Sequence, residues 1–171
     1  MTESPPPEEQ SAPEGESERA AGWRAFATVG EFLRDDGWYP QQLEDKTIFR
    51  VYFSGDNGDL RCYAQVRVDL EQFLFYVIAP VKASEPMRPA VAEYITRANF
   101  GLRIGNFEMD YSDGEVRYKS SLDFEGVELT PALLKNAIYP AVHTMDFYLP
   151  GLLSVLYGSK TPEDAVEEIE G

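Results

Sequence analysis

Apolar positions recur at two different spacings along the chain, and the switches between them mark out the elements. Trp23, Phe26, Val29 or Gly30, and Leu33 fall at helical spacing, with Glu31 and Arg34 on the other side. Asp36-Gly37 then stops this first helix, glycine serving as the residue just past its end. Trp38-Tyr39-Pro40 begins an extended segment, because proline disfavours helix at the residue before it. Alternation takes over at residues 46–54, where Thr47, Phe49, Val51 and Phe53 share one face and Ile48, Arg50 and Tyr52 the other. After a Gly-Asp-Asn-Gly-Asp turn, Leu60, Cys62, Ala64, Val66 and Val68 alternate with Arg61, Tyr63, Gln65, Arg67 and Asp69. Residues 73–79 are apolar on both faces, Phe73, Phe75 and Val77 against Leu74, Tyr76 and Ile78. That is the pattern of a strand covered on both sides.

A second helix starts near Glu85, with Pro86 and Pro89 tolerated in its first turn, where amide hydrogens have no partner. Met87, Val91, Tyr94, Ile95 and Ala98 form its stripe and Gly101 its stop. Ile104, Phe107 and Met109 then lead into Asp113-Gly114, and Val116, Tyr118, Ser120 and Leu122 follow at period two. An Asp-Gly pair between alternating runs predicts a hairpin with a two-residue type I′ turn. Thr130-Pro131 predicts a helix start, threonine capping and proline in first position. Leu133, Leu134, Ala137, Ile138, Ala141, Val142 and Met145 make a core-facing stripe. Pro140 is expected to kink this helix, Pro150 to begin a second segment, and Thr161-Pro162-Glu163 to cap a short acidic helix.

The order α-β-β-β-β-α-β-β-α(-α) predicts an α+β domain, a single antiparallel sheet of five to six strands with helices packed on one face. Residues 1–22, Pro- and Glu-rich with no large apolar side chain after Met1, read as a disordered acidic tail. Residues 23–158 read as the domain and 159–171 as an acidic C-terminal helix.

The element order and several segments are similar to the YbjN-like family of bacterial sensory transduction regulators. The residues that carry the resemblance are Ala98-Asn99-Phe100-Gly101, Phe107-Glu108-Met109-Asp110 and Gly114-Glu115-Val116-Arg117-Tyr118, then Asp146-Phe147-Tyr148-Leu149-Pro150-Gly151-Leu152 and Thr161-Pro162-Glu163-Asp164-Ala165. It covers roughly Trp23 to Glu168. It implies the fold of type III secretion chaperones, small acidic proteins that dimerise and bind extended segments of clients. The matching residues include no reactive group, so they speak to fold rather than activity.

Net charge is −15, with −5 concentrated in residues 1–22 and −4 in 160–171. Such a chain lacks the basic footprint that a phosphate backbone requires, so nucleic acid is not an expected partner. No apolar run is long enough to span a bilayer, and the N-terminus has no apolar core of a secretory signal. With the single cysteine, Cys62, these features favour the cytoplasm.

Candidate chemistry is sparse. His143, the one histidine, has no second His, Cys or acid four residues to either side to share a metal, and no nucleophile pair is formed with it. Asp56-Asn57-Gly58-Asp59 imitates the start of a calcium loop, but the twelfth position from Asp56 is Arg67 where the loop needs Glu. Acid pairs such as Asp35-Asp36, or Asp110 with Asp113 and Glu115, sit at a helix end and a turn rather than converging in a cleft. The sequence points to no enzyme, cofactor or metal.

A surface stands out instead. If the apolar faces are as assigned, Ile48, Arg50, Tyr52, Arg61, Tyr63, Arg67, Arg117 and Lys119 share the sheet face turned away from the helices. Cross-strand pairs such as Arg67 with Glu115 or Asp123 would make this an ordinary solvated face. The alternative is a docking surface for an extended or acidic client segment, used by a cytoplasmic homodimer acting as chaperone or adaptor. Strand addition at a sheet edge is a second way to hold such a segment. A second functional reading is a regulatory domain with a small ligand between the third helix and the sheet. The acidic tail could also compete for the basic face from its tether.

Overall fold

The structure, a computed structural model, describes residues 14–171; the disorder expected of residues 1–13 lies outside the described residues. Four helices, α1 (Glu14–Asp35), α2 (Arg88–Asn99), α3 (Pro131–Leu156) and α4 (Pro162–Glu170), accompany six strands. The strands are β1 (Gln41–Gln42), β2 (Ile48–Ser54), β3 (Asp59–Arg67), β4 (Gln72–Ile78), β5 (Asn106–Met109) and β6 (Val116–Asp123). They form one antiparallel sheet in the order β1-β2-β3-β4-β6-β5. The expected α+β architecture and element order are those observed.

The core lies between the sheet and the helices. Phe49, Val51, Leu60, Cys62, Ala64, Val66, Phe73, Phe75, Val77, Val116 and Tyr118 are buried on the helix side. They meet Ala25, Val29 and Leu33 of α1, and Leu134, Ile138, Met145 and Leu149 of α3. Alternation of buried and open positions along β3 and β6 follows from the two-residue repeat of a pleated strand.

Several local expectations are corrected. Residues 14–22, expected to belong to the tail, are the first turns of α1. Most of these residues are exposed, so good helix formers such as Ala20, Ala21 and Glu18 sustain the extension more than burial does. Gly22 is the exception: a Cβ there would stand 2.3 Å from the carbonyl oxygen of Val68, so α1 rests on the turn after β3 through a residue without a side chain. That turn also ends β3 at Arg67, where a longer strand was expected.

The hairpin between β5 and β6 closes later than an Asp-Gly turn would. Its last pair is Met109 with Val116, and the Asp110 amide donates to the Glu115 carbonyl at 2.9 Å. Asp110 and Asp113 side chains each accept a backbone hydrogen bond two residues ahead, at 2.9 Å, which folds the wider loop. Gly114 takes φ +79°, and a Cβ there would stand 2.0 Å from the Ala83 carbonyl oxygen. Ile104 precedes the strand and is half-exposed.

α3 runs unbroken for 26 residues through both Pro140 and Pro150. Thr130 caps it as expected, its hydroxyl accepting from the Leu133 amide at 3.3 Å. Proline leaves the carbonyl four residues earlier without a helical donor. For Pro140 that carbonyl belongs to Asn136, which is exposed to water. For Pro150 it belongs to Asp146, and Asn57 Nδ2 donates to it at 3.0 Å. The Asp146 carboxylate, buried in α3, accepts in turn from the amides of Asp56 (3.0 Å) and Asn57 (2.9 Å). The β2–β3 turn is therefore clamped to the helix layer, and Gly55 admits the carboxylate where a Cβ would lie 2.2 Å from its Oδ1.

Replacing Asp146 by Asn turns an amide NH2 toward one of two backbone donors and leaves that donor unpaired. Asp146→Asn is expected to lower stability by about 2 kcal/mol in urea unfolding, without change in secondary structure. A loss under about 0.5 kcal/mol would mean the clamp is dispensable.

Candidate binding face

The side of the sheet without helices is ordered in rows that follow from strand register. One row crosses all six strands: Gln41, Arg50, Tyr63, Tyr76, Lys119 and Asn106. The next holds Tyr52, Arg61, Ile78, Arg117 and Glu108. Ile48, Gln65, Leu74 and Ser121 form a third row, and Arg67, Gln72 and Asp123 a fourth. All eight residues singled out from the sequence thus lie on this one face.

The apolar side chains of β4 make the middle of it. Leu74 and Tyr76 are partly exposed and Ile78 is buried, so the open side of β4 is covered only in part among the described residues, short of its two-sided pattern. Tyr52 is 60% exposed. Arginine planes cover part of the aromatic surface: the Arg117 guanidinium carbon lies 4.2 Å from the Tyr76 ring centroid, and that of Arg61 5.8 Å from Tyr63.

Two of the cations are neutralised locally. Glu108 of β5 accepts from Arg117 Nε at 2.5 Å and from Lys119 Nζ at 3.0 Å. Burial opposes ionisation of Glu108, but the hydrogen bonds from Lys119 and Arg117 outweigh it and hold its carboxyl below the usual 4.5. Arg50 donates to Gln41 Oε1 at 2.5 Å, while its Nε is buried without a partner. Arg61 and Arg67 are exposed and make no ion pair among the described residues. The pairing considered for Arg67 does not form; Asp123 instead accepts from Gln72 Nε2 at 3.4 Å.

The other candidates are engaged in packing or turns. Cys62 is fully buried, which pushes its thiol up to about 12. His143 is exposed on α3, with Phe53 and Tyr139 rings 5.6 and 5.9 Å away. Asp36 accepts from the Trp38 indole at 3.0 Å and the Tyr139 hydroxyl at 2.6 Å. Asp110 and Asp113 are held below the usual carboxylate range, Asp110 by its bond from Ser112 and Asp113 by that from Lys82. No group of three or more His, Cys, Asp or Glu among the described residues stands close enough to hold a metal. The space between α3 and the sheet, where a small ligand was the second expectation, is filled by Phe73, Phe75, Ile138 and Met145, all fully buried. Clefts of about 860 and 870 Å³ lie elsewhere, both beside α1.

Glu108 is the functional-face residue that sequence reasoning missed. Its role follows from the hairpin register: a two-residue turn would set it opposite Lys119, whereas the observed loop sets it opposite Arg117 and still within reach of Lys119.

A model of the YbjN family, described as "Putative bacterial sensory transduction regulator", matches residues 26–154. The chain belongs to the YbjN family. Among solved structures, the crystal structure of the ExsC–ExsE complex contains a similar chain, with TM-score 0.52 and 13% identity over 75% of this chain and 93% of that one. The crystal structure of YbjN from E. coli, described as "a putative transcription regulator", is similar with TM-score 0.51 and 10% identity, over 78% and 90% of the two chains. At these identities the likeness is one of fold alone. No curated protein matches the chain in sequence. No helix among the described residues is long and apolar enough to cross a membrane.

The lowered carboxyl of Glu108 has a consequence for stability. A depressed folded-state pKa adds stability above the unfolded value and loses it as pH falls through the folded value. The stability gap between wild type and Glu108→Gln is therefore expected to be widest near neutral pH and to shrink below about 4.5. Denaturant titrations across that range check it; a gap independent of pH would refute the ion-pair account.

Proposed function

We propose that this YbjN-family protein is a non-catalytic binding protein that docks an extended acidic segment of a client on the open sheet face. The observation that carries the reading is the uncovered face itself, with Leu74 and Tyr76 at its centre and Arg61 and Arg67 free of ion pairs among the described residues. Tyrosine and arginine give flat apolar contact together with hydroxyl or forked hydrogen bonds, which suits a segment whose side chains alternate. Face docking is favoured over strand addition because the edge strands are short, two residues in β1 and four in β5. A protein partner is further supported by the fold shared with a member of the ExsC–ExsE complex. The reading includes a homodimer in the cytoplasm, for which light scattering of the purified chain is the direct measurement.

A fluorescein-labelled Glu/Asp-rich peptide with interspersed aromatics is the probe, titrated by anisotropy at low salt. Arg61→Glu together with Arg67→Glu is expected to weaken its binding at least about tenfold, or about 1.4 kcal/mol, with an unchanged circular-dichroism spectrum. Equal affinity of variant and wild type would move the site off this face.

A further inference from the structure

The open face does not end at the last row. Where β2 and β3 meet the first half of α1, a cleft of about 860 Å³ is walled by Arg19, Trp23, Lys46, Ile48, Arg67 and Leu70, among others. Ile48 and Arg67 belong to both surfaces, so the cleft carries the face round the end of the sheet. Trp23 is 55% exposed and Leu70 49%, two large apolar side chains left at the surface. Trp38, the second tryptophan, is 8% exposed and part of the core. Lys46 and Arg67 have no ion pair among the described residues, while Arg19 lies 3.3 Å from Asp69 with both side chains solvated. Asp45 and Asp69 are the acids of the lining, against three cations.

A tryptophan, aliphatic neighbours and free cations form a receptor for an acidic, proline-rich strand. Polyproline II presents a ridged apolar surface with a fully solvated backbone, so it docks on aromatic walls without leaving internal hydrogen bonds unmet. The chain carries a segment of that composition immediately before α1. Residues 1–13 read MTESPPPEEQSAP, with Pro5-Pro6-Pro7, acids Glu3, Glu8 and Glu9, and no Lys or Arg. Reach is sufficient. Trp23 lies about 14 Å along α1 from Glu14 at about 1.5 Å per residue. Four or five extended residues, at about 3.3 Å each, cover the same distance. Residues 3–9 can then lie within the cleft.

We infer that the chain's own residues 3–9 occupy this cleft, Pro5–Pro7 against Trp23 and Leu70 and the glutamates toward Lys46 and Arg67. Because Arg67 is shared, the segment competes in cis with an acidic client; that regulatory consequence rests on the docking reading above, whereas the contact itself does not. A tether this short gives an effective concentration on the order of millimolar, enough to keep a weak site occupied.

The test keeps the chain at full length. Glu3, Glu8 and Glu9 are changed to Gln and Pro5, Pro6 and Pro7 to Ser, all of them before α1 in sequence. Acrylamide quenching of tryptophan fluorescence then reports on Trp23, Trp38 being buried. The quenching constant of the variant is expected to exceed that of wild type by about twofold or more. A synthetic peptide of residues 1–13 should bind the variant about tenfold more tightly than wild type, whose cleft is already filled. Equal quenching together with equally weak peptide binding would overturn the inference. Protection of Trp23 that grows with protein concentration in both chains would also overturn it, by assigning the cleft to a second copy. Arg61 lies outside the cleft, so Arg61→Glu separates the two ideas: retained acidic-client binding in that variant counts against face docking and leaves the quenching result untouched.

Discussion

A six-stranded sheet has two faces, and this chain has helices for one. α1 and α3 bury the side carrying Phe49, Val51, Phe73, Phe75 and Val77, and no described element covers Leu74 and Tyr76 on the other, where both stay partly exposed while Ile78 beside them is buried. Each uncovered apolar square ångström forgoes about 25 cal/mol of burial, so the sequence must limit exposure by other means. It does so with side chains that lie flat. The arginine over Tyr76 hides ring surface while its charge is met by Glu108. The same residues that make the open face tolerable in water make it adhesive toward a segment with complementary groups.

The helix layer is fastened to the sheet at its far end by Asp146. Its side chain holds the β2–β3 turn, and its carbonyl, released by Pro150, holds Asn57. Pro150 is thus less a helix breaker than a device that frees an acceptor for another element. Gly151, one residue on, lets α2 approach: a Cβ there would stand 2.3 Å from the Tyr94 hydroxyl, which donates to the Tyr148 carbonyl at 2.7 Å. Asp146 to Leu152 is one of the segments that carried the family resemblance, and its residues are explained by packing rather than catalysis.

The alternation along β2, β3 and β6 was enough to place eight side chains on one face, because the period of a strand is two and its sidedness survives small errors of register. The hairpin illustrates this. The loop was misjudged, but the resulting shift of β5 is two residues, an even number, so Glu108 stayed on the open side. What alternation could not supply was the partner across the strand, and hence the neutralisation of Arg117 and Lys119. The local rules for proline and Asp-Gly give way to contacts distant in sequence, Asn57 on Asp146 and Ala83 on Gly114, whereas the early start of α1 follows from its exposed helix formers. Residues 73–79 were read correctly as apolar on both faces, yet the pattern alone cannot say whether the second cover comes from the same chain.

On the proposed reading, a chain of net charge −15 must overcome its own field to bind an acidic segment. Screening shortens that field to about 8 Å at physiological salt, so repulsion slows encounter more than it weakens a formed contact. Recognition then depends on groups at contact distance, and the sheet is not uniform there. On the β5–β6 side Glu108 already satisfies two cations, so little is gained by bringing in another acid. On the β2–β3 side Arg61 and Arg67 have no such partner among the described residues, and the cleft beside Trp23 continues from Arg67. On the proposed reading the asymmetry gives the face a direction, an acidic segment being held most strongly at the β2–β3 end and least at β5. The first half of α1 borders the same end, so the inferred contact of the chain's own acidic residues and the proposed client would compete for Arg67.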